Sequence, residues 1–171
     1  MKRTSTPLCQ DAQIRWMIRR DLQEVLEIER ASFEIAWDEE EFRCWLRQRS
    51  VIGIVAELDS RVVGYMVYEL HKNQLKILNL AVHPEARRHG IGRMLVQRLI
   101  DKLCLHPRRE IVLEVRETNL PAQLFLAACG FRAVTVLKRF FGEEDAYYMM
   151  YQFKEAPEPV VEKIDDDDLW E

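Results

Sequence analysis

The sequence predicts a single α/β (α+β) domain in which a mixed sheet is covered by helices on its faces. Three observations point there. β-rich runs and helix-spaced runs interleave in the order β-α-α-β-β-β-α-β-α-β-β between Ile14 and Phe153. A chain of 171 residues holds one sizeable core and is short for two. Apolar residues make up 48% and charged residues 32%, the balance of a globular protein. The domain is expected over residues 14–154, between an N-terminal segment, 1–13, and an acidic tail, 155–171.

Each element has its own signal. Ile14–Arg19 alternates enough to form a strand, and Asp21 is placed to cap a helix whose inward face uses Leu22, Val25, Leu26 and Ile28. Asp38 and Glu41 read as a capping pair for a second helix carrying Phe42, Trp45 and Leu46. Val51–Leu58 and Arg61–Leu70 are β-rich runs separated only by Asp59 and Ser60, which predicts a hairpin. Leu75–Val82 is the next strand, stopped at His83-Pro84 because proline cannot donate to a ladder. A long helix starts near Gly90, with Ile91, Leu95, Leu99 and Leu103 on one stripe. Ile111–Arg116 is a short strand and Asn119–Cys129 a helix ended by Gly130. Phe131–Lys138 and Ala146–Phe153 are the last two strands.

Composition excludes several classes. Cys9, Cys44, Cys104 and Cys129 form no C-x-x-C pair and the four histidines are dispersed, so neither a metal site nor a disulfide framework is expected. Reduced thiols in a cytoplasmic protein fit better. The start has basic residues with no apolar run behind them, so no signal peptide is expected. The longest uncharged run, Thr118 to Phe131 with its apolar part from Leu120, is fourteen residues, too short to span a bilayer. The net charge of −4 is uneven: residues 155–171 carry −7, leaving +3 on the remainder. A weakly basic body suits a polyanionic small molecule, but is too weak to predict direct nucleic-acid binding. The tail, ending IDDDDLWE, is expected to be disordered and solubilising, with Leu169 and Trp170 as a docking motif the alternative.

The most informative stretch runs from Asn79 to Arg93, where a strand enters a loop with two glycines and a helix starts at once. Backbone N–H groups of Arg88, His89, Gly90, Ile91, Gly92 and Arg93 are expected to converge there. The first four donors of a helix lack intrahelical partners and its dipole is positive at that end, so the loop reads as a pyrophosphate cradle. Glycine admits the backbone to a phosphate that a Cβ would keep away. The pattern is neither a Rossmann fingerprint nor a P-loop.

Arg87-Arg88-His89-Gly90-Ile91-Gly92 matches R/Q-x-x-G-x-G/A, and from about Ile14 to Phe153 the sequence resembles the GNAT superfamily of acetyl-coenzyme A-dependent N-acetyltransferases. Within it, the chain is most similar to the RimI-type ribosomal-protein-alanine N-acetyltransferases. The further matches are Ala36-Trp37 with Phe42 downstream, Asn79 to Val82, Leu113 to Arg116 with Asn119, Cys129 to Phe131, and Gly142 to Ala146. The resemblance implies a mixed, mostly antiparallel sheet with helices on both faces, and acetyl-CoA as co-substrate with no metal. It implies that the main chain of Leu80, Ala81 and Val82 lines the pantetheine and acetyl group. The loop from Arg88 to Arg93 holds the pyrophosphate, Asn119 contacts the cofactor and Glu114 is the general base. Arg93, in the first helical turn, is expected to be a better anion contact than Arg87 or His89, which are expected to be solvated. Trp37 and a Phe140–Phe141 loop are expected to frame a peptide slot, whereas Phe42 is expected in the core.

Glu114 can be weighed without the resemblance. Val112, Glu114 and Arg116 share one strand face and Ile111, Leu113 and Val115 the other, so a carboxylate mid-strand reaches a cleft or a solvated face. An α-ammonium of pKa ~8 needs less help to lose its proton than a lysine of ~10.4. One position departs from the related enzymes: their α-helical tyrosine, a general acid, is Leu126 here. At that position the side chain is expected to point toward the departing thiol. The aromatic pair often seen as Tyr-Tyr is Phe140-Phe141. Tyr147 and Tyr148 are nearby, but strand alternation sends only one toward a given face. Three activities are consistent with these residues: acetylation of a protein N-terminus, with a small-subunit ribosomal protein bearing an N-terminal alanine the expected partner; acetylation of a small amine or lysine; and regulatory acetyl-CoA binding with weak catalysis.

Overall fold

The computed structural model describes residues 11–103 and 108–153. The acidic tail, Cys9 and Cys104, and most of the N-terminal segment lie outside the described residues. The chain runs β1 (Gln13–Trp16), α1 (Leu22–Ser32), α2 (Glu39–Leu46), β2 (Val51–Leu58), β3 (Arg61–Leu70), β4 (Gln74–Val82), α3 (Ile91–Leu103), β5 (Glu110–Arg116), α4 (Leu120–Ala128), β6 (Arg132–Phe141) and β7 (Glu144–Gln152), with short 3-10 turns at Arg19–Asp21 and Pro84–Ala86. The strands form one sheet in the order β1-β2-β3-β4-β5-β7-β6. Every neighbouring pair is antiparallel except β4–β5. The expected mixed, mostly antiparallel sheet is the one observed.

Local chemistry accounts for most boundaries. Asp59 and Ser60 take φ of 49° and 63°, the left-handed pair that matches hairpin twist. Asp38 accepts the Glu41 N–H at 2.8 Å and Glu41 accepts the Asp38 N–H at 2.9 Å, the reciprocal cap that starts α2. Asp21 behaves differently from the expectation. Its carboxylate, 3% exposed, accepts from the Ile18 N–H and from both terminal nitrogens of Arg15, and gives no side-chain cap to α1. Burial raises the Asp21 pKa, but the bonds from Arg15 and Ile18 outweigh it and hold the carboxyl below its usual range. Those bonds close the 3-10 turn, and so β1 ends at Trp16 rather than Arg19. At the other end, Phe141 pairs with Glu144, so Phe140 and Phe141 finish β6 instead of forming a loop.

Two apolar clusters sandwich the sheet. On one face, Val25, Leu26 and Ile28 of α1 and Phe42 of α2 pack on Val55, Tyr65 and Val67, with Phe42 fully buried as expected. On the other, Leu95, Leu99 and Leu103 of α3 and Leu126 of α4 pack on Ile111, Leu113 and Val115. Glu114 therefore faces the α1–α2 side. Among the described residues no helix is long and apolar enough to cross a membrane, and no group of three or more His, Cys, Asp or Glu is placed to hold a metal ion.

Candidate active site

The site begins as a defect in the sheet. β4 and β5 pair only at Gln74↔Glu110, Leu75↔Ile111 and Lys76↔Val112, although β4 continues to Val82 and β5 to Arg116. A bulge contributes to the divergence: Val67 pairs with Asn79 but Tyr68 with Ile77, leaving Leu78 as the extra residue that bends β4. Beyond the last rung each strand keeps its other neighbour and presents a bare edge to the gap. In an antiparallel ladder alternate residues face the partner. His83 N–H donates to Val63 O, so Ala81 also points its peptide groups at β3, while those of Leu80 and Val82 face the gap. Of the three residues expected to line an extended ligand, Leu80 turns both peptide groups to the gap and Val82 its N–H, its carbonyl being taken by Arg87, while Ala81 offers neither.

At the end of β4 the chain turns through Pro84–Ala86 and enters α3. Arg88 and Gly90 take φ of 66° and 86°, a left-handed geometry that glycine supplies without steric cost. Met94 N–H donates to Gly90 O at 3.0 Å, so the N–H groups of Ile91, Gly92 and Arg93 are left over at a positive helix end. The buried Nδ1 of His89 has no hydrogen-bond partner among the described residues. Gly92 is small for a reason the sequence did not reveal: a Cβ there would lie 3.1 Å from Phe125 of α4. The structure adds detail at both arginines. Arg87 is exposed, as expected, but it is also tethered: its Nε donates to Val82 O and its Nη2 to Ser32 Oγ, both at 2.9 Å, tying the end of β4 to α1. Arg93 turns its guanidinium to Ala128 O at the end of α4, 3.1 Å away, so its contribution at the turn is its N–H.

Glu114 stands on β5 just past the last β4–β5 rung. Its side chain is 13% exposed and its Oε1 lies 2.8 Å from Lys76 Nζ on β4; the described residues give that carboxylate no other ion pair. Lys76 is a site residue that the sequence did not flag, since only the parallel register puts it beside Glu114. Tyr148 pairs with Glu114 across β5–β7 and shares its face, whereas Tyr147 pairs with Val115 and packs into the α3-side core.

Asn119 acts locally, where its Oδ1 accepts the Ala122 N–H at 3.2 Å and caps α4. Leu126 overturns the expectation that it points at the departing thiol. It is 2% exposed and sits in the core with Ile91, Leu95 and Leu113, because α4 lays its inner face against α3 and β5. Leu126→Tyr should therefore act as an overpacking substitution, lowering stability by about 1–3 kcal/mol in urea denaturation. An unchanged stability would place this side chain in the gap instead.

The expected peptide-slot aromatics fall in two groups at the open end of the sheet. Trp37 stacks on Trp45 at 6.0 Å and meets Phe42 edge-on at 5.2 Å. Phe140, 46% exposed, meets Phe141 edge-on at 4.9 Å, and the Arg116 guanidinium lies 4.2 Å from the Phe141 ring centre. Arg116 also holds Glu144 at 2.7 Å, fixing the β6–β7 tip to β5. Bonds from Thr118 and then Arg116 hold the Glu144 carboxyl below its usual range. Among the described residues the two aromatic groups do not stack on each other.

A bare strand edge suits an extended, amide-containing arm, a helix start suits a phosphorylated group, and a carboxylate facing the same gap suits a proton acceptor. Together they suit a long, phosphorylated arm lying beside a proton acceptor. The profile of the Acetyltransferase (GNAT) family matches residues 22–131, and the chain belongs to that family of acetyltransferases. It is 29% identical to the [ribosomal protein bS18]-alanine N-acetyltransferase of Salmonella typhimurium over 133 residues, 75% of this chain and 89% of that protein. It is 30% identical to an N-alpha-acetyltransferase of Sulfurisphaera tokodaii over 143 residues, 75% of this chain and 86% of that protein. The crystal structure of the ribosomal-protein-S18-alanine N-acetyltransferase from Escherichia coli superposes with a TM-score of 0.76 at 24% identity, covering 87% of this chain and 98% of that one. The protein is an N-acetyltransferase, of a family whose acetyl donor is acetyl-CoA.

Proposed function

We propose that the protein transfers acetyl from acetyl-CoA to the N-terminal α-amine of a protein in the cytoplasm, the alanine terminus of a small-subunit ribosomal protein being the first candidate. The observation carrying this reading is the position of Glu114, a mostly buried carboxylate on the α1–α2 face beside the bare edge of β4. In it, the N–H groups of Gly92 and Arg93 receive the pyrophosphate, and the peptide groups of Leu80 with the N–H of Val82 hold the extended arm. The incoming peptide enters between Trp37 and the Phe140–Phe141 tip. Glu114 takes the ammonium proton through one water, leaving a neutral amine to attack. Acetyl-CoA supplies a thioester whose thiol, with a pKa of about 8.5, leaves at neutral pH without a strong acid. That matters because the position where a phenol was expected, Leu126, faces the core. The protein should be incubated with acetyl-CoA and short peptides starting with alanine, serine or methionine, alongside an N-blocked lysine peptide, and the products mapped by mass spectrometry. Acetyl on the α-amine, fastest for alanine, is the expected result. Acetyl on lysine alone would overturn the target, and acetyl-CoA binding without any turnover would make the chain a regulatory binder.

A further inference from the structure

The buried stripe of α1 is interrupted by a charge. Leu22, Val25, Leu26 and Ile28 are buried, and so is Glu29, at 1% exposure. A carboxylate in that position is tolerable only if its lone pairs are met. They are met by three donors from three other segments. Glu29 Oε1 accepts the main-chain N–H of Trp37 at 2.7 Å, Oε2 accepts the Tyr65 hydroxyl from β3, and Asn79 Nδ2 from β4 lies 3.2 and 3.1 Å from the two oxygens. Burial, reinforced by the Glu29 charge, pushes the Tyr65 phenol far above its usual range and keeps it a donor.

The geometry shows what this network joins. Asn79 is half-buried at the bulge where β4 leaves β5, one residue before Leu80, whose peptide groups face the gap. Trp37 directly precedes Asp38, the cap of α2, so its N–H is the point where the α1–α2 connection is fastened. The Trp37 ring then lies on Trp45 and Phe42. Stability alone gives weak reason for the charge, since an apolar residue of similar volume commonly serves a core as well or better than a buried ion. A fully satisfied polar network instead specifies one arrangement of the segments it joins.

We infer that Glu29 is a positioning residue: it fixes the Trp37 segment to strand β4 and so sets the width of the amine-substrate slot, without touching the reacting atoms. This rests on the reading of Trp37 as the substrate side of the site.

The test compares wild type with Glu29→Met, Glu29→Gln and Tyr65→Phe, measuring KM for the alanine peptide, kcat, acetyl-CoA Kd and Tm. Glu29→Met removes every acceptor at similar volume. Its peptide KM should rise by about tenfold or more, with acetyl-CoA Kd moving less than about threefold. Glu29→Gln keeps one acceptor oxygen and should recover most of that loss. Tyr65→Phe breaks one bond to Glu29 but spares the Trp37 N–H, so its KM should stay within about twofold of wild type. A purely structural role would make KM follow Tm across all three variants; that outcome, or a wild-type KM in Glu29→Met, overturns the inference. If Glu29→Met does not fold, amide hydrogen exchange of the wild type decides. The Trp37 N–H should exchange about a hundredfold more slowly than those of Glu34 and Ile35, and equal rates overturn it. A wild type that acetylates no peptide would sink the proposed function, while the exchange rates would still judge Glu29.

Discussion

Gly90→Asp should weaken acetyl-CoA binding at least tenfold, about 1.4 kcal/mol, in calorimetry. Two effects act together. The φ of 86° at Gly90 belongs to the left-handed region, which a side chain enters at a cost. The new carboxylate would also sit at the start of α3, among the N–H groups left over for a phosphate, and would compete with it or repel it. A carboxylate at a helix start stabilises the helix, which offsets part of the strain, so Tm should fall less than affinity does. Gly90→Ala separates the two causes, because it adds the strain without the charge. If alanine and aspartate weaken binding equally, conformation rather than electrostatics governs the turn. An unchanged Kd in Gly90→Asp would remove the phosphate-cradle assignment.

For Glu114→Gln the expected result is a fall in kcat of about 10²–10⁴ on a peptide beginning with alanine at pH 7, with acetyl-CoA affinity retained. The pH profile is the sharper readout. A base is needed only while the amine is protonated, and an α-ammonium has a pKa of about 8. The gap between wild type and variant should therefore narrow as pH rises through about 8 and be small near about 9. If the true acceptor is a lysine side chain, with a pKa of about 10.4, recovery would begin only at higher pH. Equal turnover at neutral pH would reduce Glu114 to the partner of Lys76. The variant also leaves Lys76 without its counter-charge, so Tm must be measured with it.

The strand–turn–helix from Asn79 to Arg93 was legible because its signals are local: a proline that stops a strand, glycines that free a turn, and an apolar stripe that begins at once. The two-residue hairpin at Asp59–Ser60 and the cap at Asp38–Glu41 were legible for the same reason. Asp21 misled because its best partner is not the helix that follows but Arg15 on β1, and a guanidinium outcompetes backbone N–H groups for a buried carboxylate. Glu29 leaves only a faint trace in the sequence. It falls one position after Ile28 on a stripe begun by Leu22, Val25 and Leu26, where a charge must either snorkel out or be met inside.

By itself the sequence determined the order of the elements, the buried stripes of α1 and α3, the glycine turn that opens α3, and a carboxylate on the strand face opposite Ile111, Leu113 and Val115. Each of these follows from spacing within one element, where the helical and strand periods are known in advance. The tertiary structure alone decided the rest. It limited the β4–β5 ladder to three rungs and so opened the gap. It set Lys76 against Glu114, packed Gly92 on Phe125 and turned Leu126 into the core. It gathered Trp37, Tyr65 and Asn79 around Glu29. These contacts join residues far apart in the chain, and they depend on strand register and on how each helix lies on the sheet. A shift of one residue in either would exchange the partners while leaving every local pattern intact.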